Sequence, residues 1–156
     1  MTQRIKPAPV RKSVKVAVGS ERAFEVFTKD IGRWWPASHT LLKAPRQSLT
    51  IEPKIGGRWF ERAVDGSECS LGHVLAWEPP HRVLLAWQID GTWKFNAALV
   101  TEVEIRFIAD GDATRVELEH RKLERLGEHA EAMRGTVDSP GGWTAVLQSY
   151  VDLIGR

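Results

Sequence analysis

Hydrophobic and polar residues alternate through most of this chain, and the period changes only near its two ends. "RKSVKVAV" places Val14, Val16 and Val18 on one face, which predicts a strand. In "GSERAFEVF", Ser20 is placed to cap a helix and Glu21 suits the positive end of its dipole. Phe24, Phe27, Ile31 and Trp34 or Trp35 continue at helical spacing. Gly32 predicts a break into two short helices, and Pro36 ends the run. From Leu49 onward come short alternating runs separated by Gly56-Gly57, Asp65-Gly66, Pro79-Pro80, Asp90-Gly91 and Asp110-Gly111. Asp-Gly supplies the positive φ that tight hairpins need, and connections this short join only antiparallel neighbours. The middle of the chain therefore reads as a meander of about six strands.

"ERLGEHAEAMRGTV" fits either a loop or a short helix broken at Gly127 and Gly135. The chain then closes with one amphipathic helix. Ser139 is its expected N-cap and Pro140 its first position, where the missing N–H costs nothing. Trp143, Val146, Leu147, Tyr150, Val151 and Ile154 form its apolar stripe.

This order predicts an α+β architecture: a curved antiparallel sheet of about seven strands, two short helices, and a long C-terminal helix covering one face. A straight helix over a concave sheet leaves space that large side chains can line. Seven tryptophans accompany a single tyrosine, and such walls suit a small hydrophobic molecule. The expected ligand contacts are Trp59, Trp87, Phe107, His120, Trp143, Leu147 and Tyr150. Aromatic strand residues serve as plain core as readily as they line a pocket. Trp34-Trp35 fits both the entrance of the cleft and a packed position beneath the first strand.

Composition narrows the class. The 156 residues suit one domain, expected over residues 11–156 behind a flexible tail of residues 1–10. A net charge of +2 does not argue for nucleic acid. The cluster Arg4, Lys6, Arg11, Lys12 and Lys15 reads as a solvated tail, with a basic arm for an acidic partner as the alternative. Cys69 is the sole cysteine, which excludes an intramolecular disulfide and fits a reducing compartment. The sequence shows no signal-peptide pattern and no apolar run of membrane-spanning length, so the expected location is the cytoplasm.

"PKIGGRWFERAVDGSECSLGHVLAWEPPHRVLLAW" resembles the central signature of the proteins similar to the activator of the Hsp90 ATPase. The matching features are Gly56-Gly57, Gly72 with Val74, Pro79-Pro80, and the apolar strand from Val83 to Trp87. Gly142-Trp143, with Leu147 one turn on, resembles the opening of the family's last helix, and "FTKDIGRWWP" its region after the first helix. The resemblance runs from Lys12 to Ile154. It implies the START-like, Bet v 1-like superfamily and its helix-grip fold, whose members include lipid and hormone binders and polyketide cyclases. The eponymous co-chaperone carries a separate domain for its client, for which this chain is expected to have no room.

The candidate chemistry is sparse. His120 shares a face with Val116 and Leu118, and His73 shares parity with Leu71, Leu75 and Trp77. Either could act as a general base in a cyclase-like pocket or sit as a satisfied, partly buried histidine. Glu61 shares parity with Trp59 and raises the same question. Cys69 and His73, four apart on a strand, fall short of a metal site. The glycine pairs lack the lysine of a phosphate loop, so no cofactor is implied. Three functions stay open: a binder of a lipid, polyketide or aromatic compound; a cyclase- or hydrolase-type enzyme using a pocket histidine; and a protein-interaction or stress-response module related to Hsp90 co-chaperones, with a second copy or another protein as partner.

Overall fold

The computed structural model describes residues 7–155. In chain order the strands are β1 (Val10–Val16), β2 (Arg46–Ile51), β3 (Arg58–Ala63), β4 (Glu68–Glu78), β5 (Arg82–Trp87), β6 (Thr101–Asp110) and β7 (Ala113–Arg121). They form one antiparallel sheet in the order β1-β7-β6-β5-β4-β3-β2, curled into a half-barrel. This is the expected meander, closed by β1 returning alongside β7. The helices are α1 (Ser20–Thr28), α2 (Ile31–Trp34), α3 (Ala130–Asp138) and α4 (Ala145–Ile154). Among the described residues, no helix is long and apolar enough to cross a membrane.

β1 begins at Val10, which is buried and paired with His120. The ordered strand thus takes in the last residue of the expected tail, and Arg134 Nε donates to the Ala8 carbonyl at 2.6 Å. Residues 1–6, the greater part of that tail with Arg4 and Lys6, lie outside the described residues. Ser20 opens α1 without capping it: its hydroxyl lies 3.4 Å from Thr114 Oγ1. The break between the two short helices falls at Lys29–Asp30, ahead of Gly32.

The interior is aromatic. Phe24, Phe27, Trp34, Phe107 and Tyr150 pack edge-on or tilted, with ring centroids 5.0–5.8 Å apart. Their polar atoms are satisfied locally: Tyr150 Oη donates to the Ala23 carbonyl at 2.6 Å and Trp34 Nε1 to the Val26 carbonyl at 2.8 Å. Each such ring withdrawn from water contributes roughly 1.5–3 kcal/mol. These contacts tie α1, α2 and α4 to the sheet and fill the space beneath α4.

The outer face carries a ladder of ion pairs across β5, β6 and β7. Burial would raise the Glu104 carboxyl, but the guanidiniums of Arg106, Arg82 and Arg121 outweigh it and hold the group down at about 2.

β4 departs from simple alternation in two places. Its pairing slips against β3 between Trp59 and Phe60, and against β5 between Val74 and Ala76. Each slip reverses the faces downstream. His73 consequently pairs with exposed Arg58 on one side and buried Ala86 on the other, with Nδ1 2.8 Å from Gln88 Oε1, and does not share a face with Leu71 and Trp77. At Gly72, opposite Trp87, the strands run so close that a methyl group would overlap the Ala86 carbonyl oxygen. That close approach is the physical content of the Gly-x-Val signature.

Candidate functional site

A cavity of about 460 Å³ lies between the β4–β5 half of the sheet and the segment joining α3 to α4. The sheet contributes Leu71, Trp87 and Ile89 to its wall. Trp35 and Ser38 to Leu41, after α2, form a second side, and Trp93 on the β5–β6 loop a third. The end of α3, the turn Ser139–Trp143 and Val146 complete it.

That turn differs from the expected helix start. Residues 124–137, legible in the sequence as either loop or broken helix, form a run of 3-10 turns and then most of α3, with the interruption at Gly127 and none at Gly135. Ser139 is extended, and its hydroxyl donates back to the Thr136 carbonyl at 2.6 Å instead of capping. Pro140 to Thr144 make one wide turn in which Gly142 leaves helical geometry at φ −88°, ψ −129°. A methyl group there would collide with the Val137 carbonyl. Regular helix begins only at Ala145, so the closing helix is shorter than its hydrophobic pattern indicates. The wide turn borders the cavity through Gly141, Gly142 and Trp143.

A cluster of tryptophans forms the floor. Trp87 meets Trp59 and Trp143 edge-on with centroids 5.9 and 5.5 Å apart, and Trp35 meets Trp59 and Trp143 in the same way at 6.0 and 5.9 Å. The indole N–H groups of Trp59 and Trp87 are buried without an acceptor, a cost of about 1–3 kcal/mol each.

Of the expected ligand contacts, Trp87 and Trp143 stand on the cavity wall. Trp59, Phe107, His120, Leu147 and Tyr150 are instead fully or almost fully buried within the packed interior. The physical reason is that the space directly beneath Trp143 is taken by the His120 ring. Trp143 Nε1 donates to His120 Nδ1 at 3.1 Å. The ring must then carry its proton on Nε2, which donates to Thr101 Oγ1 at 2.8 Å, and Thr101 donates on to the Trp87 carbonyl at 3.2 Å. Burial pushes His120 down to about 3. It is a neutral structural link with both nitrogens engaged, and it offers no free lone pair for catalysis. His73 lies away from the cavity as described above.

The loop carrying Trp35 to Leu41 is pinned by a buried ion pair. Arg46 donates to the carbonyls of Trp35 at 2.6 Å and Pro36 at 3.3 Å, and its guanidinium lies 3.7 Å from Glu61. Burial lowers the Arg46 pKa against the pull of that carboxylate. Glu61 is fully buried, and its second oxygen accepts the Leu41 amide at 3.1 Å. Its inward parity thus serves the loop, and it does not reach the cavity wall.

The wall residues outside the expected contacts include His39, Leu41 and Trp93. His39 Nε2 lies 2.7 Å from the Gly141 carbonyl and Nδ1 lies 3.1 Å from Ser38 Oγ. Trp93 is 43% exposed at φ +62°, a conformation strained for a bulky side chain. Asp90 Oδ1 holds the loop in it by accepting from Thr92 N, Thr92 Oγ1 and Lys94 N. The Asp90-Gly91 pair and an aromatic inside a polar loop were the available signals.

The model of the family described as activator of Hsp90 ATPase homolog 1-like protein matches residues 17–154. The chain belongs to this family. The chain shares its fold with solved structures. It is 41% identical to an anthrahydroquino-gamma-pyrone synthase, Txn09, solved in complex with SUM, over 95% of this chain and 97% of that one, with a TM-score of 0.66. It is 30% identical to the self-sacrificing resistance protein CalC from Micromonospora echinospora, over 94% and 93% of the two chains, with a TM-score of 0.71. A protein from Mesorhizobium loti at 18% identity and a TM-score of 0.68 shares the fold, over 96% and 98% of the two chains. No curated protein matches the chain.

Proposed function

We propose that this protein binds a small, flat aromatic molecule of polyketide type in the cavity beside α4. The carrying observation is the wall itself: Trp35, Trp87, Trp93 and Trp143 converge on a space of about 460 Å³ that reaches solvent past an exposed indole. Indole faces and edges match fused aromatic rings, which stack on them at little conformational cost. A few polar groups at the rim, Ser38, His39, Thr40 and Ser139, suit the oxygen substituents such molecules carry. The likeness to a synthase of an anthrahydroquinone-derived pyrone supports this chemistry, since that protein's name describes a polycyclic oxygenated aromatic. The proposed site of action is the cytoplasm, where half-buried Cys69 would remain a thiol.

Tryptophan fluorescence tests the reading. Titration with alizarin, a dihydroxyanthraquinone, is expected to quench emission saturably with a dissociation constant in the micromolar range. Trp143→Phe, which removes one of the wall indoles, is expected to reduce the quench. A linear, non-saturating response from alizarin and from unsubstituted anthraquinone would overturn the proposal.

A synthase among the relatives also favours a catalytic reading, in which the bound molecule is converted. His120 and His73 are poor bases for it, the first for its locked neutral ring and the second for its distance from the cavity. A catalytic reading needs a different group.

A further inference from the structure

The geometry points to His39 as a general base that takes the proton of a hydroxyl group on the ligand bound in this cavity. The inference rests on the binding function proposed above and assigns it a proton-transfer step.

Among the described residues that line the cavity, His39 is the sole ionisable side chain; its neighbours there are hydroxyls, glycines and apolar groups. No carboxylate or cation on the wall therefore competes for a ligand proton. The ring's protonation pattern follows from its partners. A carbonyl oxygen only accepts, so the 2.7 Å contact to Gly141 requires the proton on Nε2. Nδ1 of the neutral ring then presents its lone pair, and the Ser38 hydroxyl donates to it at 3.1 Å. The exposed Ser38 hydroxyl holds the place that a ligand phenol or enol would take.

This is the arrangement a proton acceptor needs: one nitrogen fixed by a backbone carbonyl, the other directed at an exchangeable donor on a pocket wall. The residue is also held in place. Its own N–H donates to the Pro36 carbonyl at 3.0 Å, its carbonyl accepts Trp35 Nε1 at 3.0 Å, and Arg46 fixes the carbonyls just before it. Gly141 stands 102 residues away, on the turn that borders the cavity, so both sides of the cavity must be in place to complete the pair. In the step itself the ligand O–H bond breaks, its electrons stay on the oxygen, and the proton goes to His39 Nδ1. The products are a phenolate or enolate and an imidazolium, whose positive charge neutralises the new anion beside it. No co-reactant is consumed, and the proton is available for return to oxygen or carbon.

The test uses the full chain and alizarin, whose absorption moves from yellow to red when a phenol ionises. An apolar cavity by itself makes a phenol harder to ionise. An adjacent base does the opposite, so the sign of the change is diagnostic. With wild-type protein in excess at pH 5 to 8, the bound dye is expected to be about tenfold more ionised at a given pH than the free dye. His39→Gln keeps an amide donor for the Gly141 carbonyl but accepts no proton. That variant is expected still to bind saturably, judged by tryptophan quenching, to lose the shift, and, because ionisation and binding are linked, to bind the ionised dye about tenfold more weakly than wild type. In wild-type protein labelled with 15N-histidine, the His39 ring signals are expected to move to the imidazolium pattern on saturation, a readout that needs no variant. Bound dye that ionises no more readily than free dye, a shift that survives in His39→Gln, or unchanged ring signals would each overturn the inference while leaving binding intact. Absence of saturable binding to wild type would overturn the binding function and this step together.

Discussion

Trp143 Nε1 donates to His120 Nδ1 across 3.1 Å, and both rings are buried. The bond joins the wide turn before α4 to β7 and consumes the histidine's lone pair. What alternation along β7 presents as a candidate catalytic base is therefore a structural acceptor, and the fold depends on its staying neutral.

A pH dependence of stability follows from that neutrality. Burial holds His120 at about 3 in the folded protein, against 6.5 for the free side chain. The unfolded chain thus binds an extra proton between these values, and the histidine's contribution is fully present above pH 6.5 and lost as pH falls toward 3. Urea unfolding is expected to show a loss of about 2–3 kcal/mol from pH 6.5 to 4.5. His120→Asn should be less stable at pH 7 by about 1–3 kcal/mol and should lose most of this slope. A wild-type slope that persists in the variant would assign it to other groups.

Arg46 and Glu61 fasten the cavity loop from within. Removing the cation leaves a buried carboxylate uncompensated, so Arg46→Met is expected to cost about 3–5 kcal/mol. Glu61→Gln keeps an oxygen for the Leu41 amide and should cost less, about 1–2 kcal/mol. The reverse ranking in urea titrations would mean that the carboxylate, and not the guanidinium, holds the loop.

Leu41 stands half-buried on the cavity wall. Leu41→Trp is expected to occupy the space intended for the ligand and weaken alizarin binding at least about tenfold, with unfolding stability changed by less than about 1.5 kcal/mol. Equal affinity in the two proteins would locate the dye elsewhere.

Trp93 gives stability and binding opposite signs. Its backbone sits at φ +62°, so Trp93→Gly should relieve strain and leave stability unchanged or raised by up to about 1 kcal/mol. The same change removes an indole from the cavity wall and should weaken alizarin several-fold. A fluorescence titration and a thermal melt on one variant separate the two effects.

The sequence by itself determined the sheet, the family and the aromatic character of the interior. Alternation, turn residues and helical spacing are local properties, and the inward series Val116, Leu118, His120 shows how far they carry when no bulge intervenes. The position of the cavity was decided only by the tertiary structure. Two register slips in β4 turn His73 away from Leu71, the wide turn at Gly142 starts α4 late, and His39 meets Gly141 across 102 residues of chain. A hydrophobic period states which side chains leave water. Whether they meet one another or line an empty space depends on how far apart two backbones are held, and here that separation is set by contacts between residues distant along the chain.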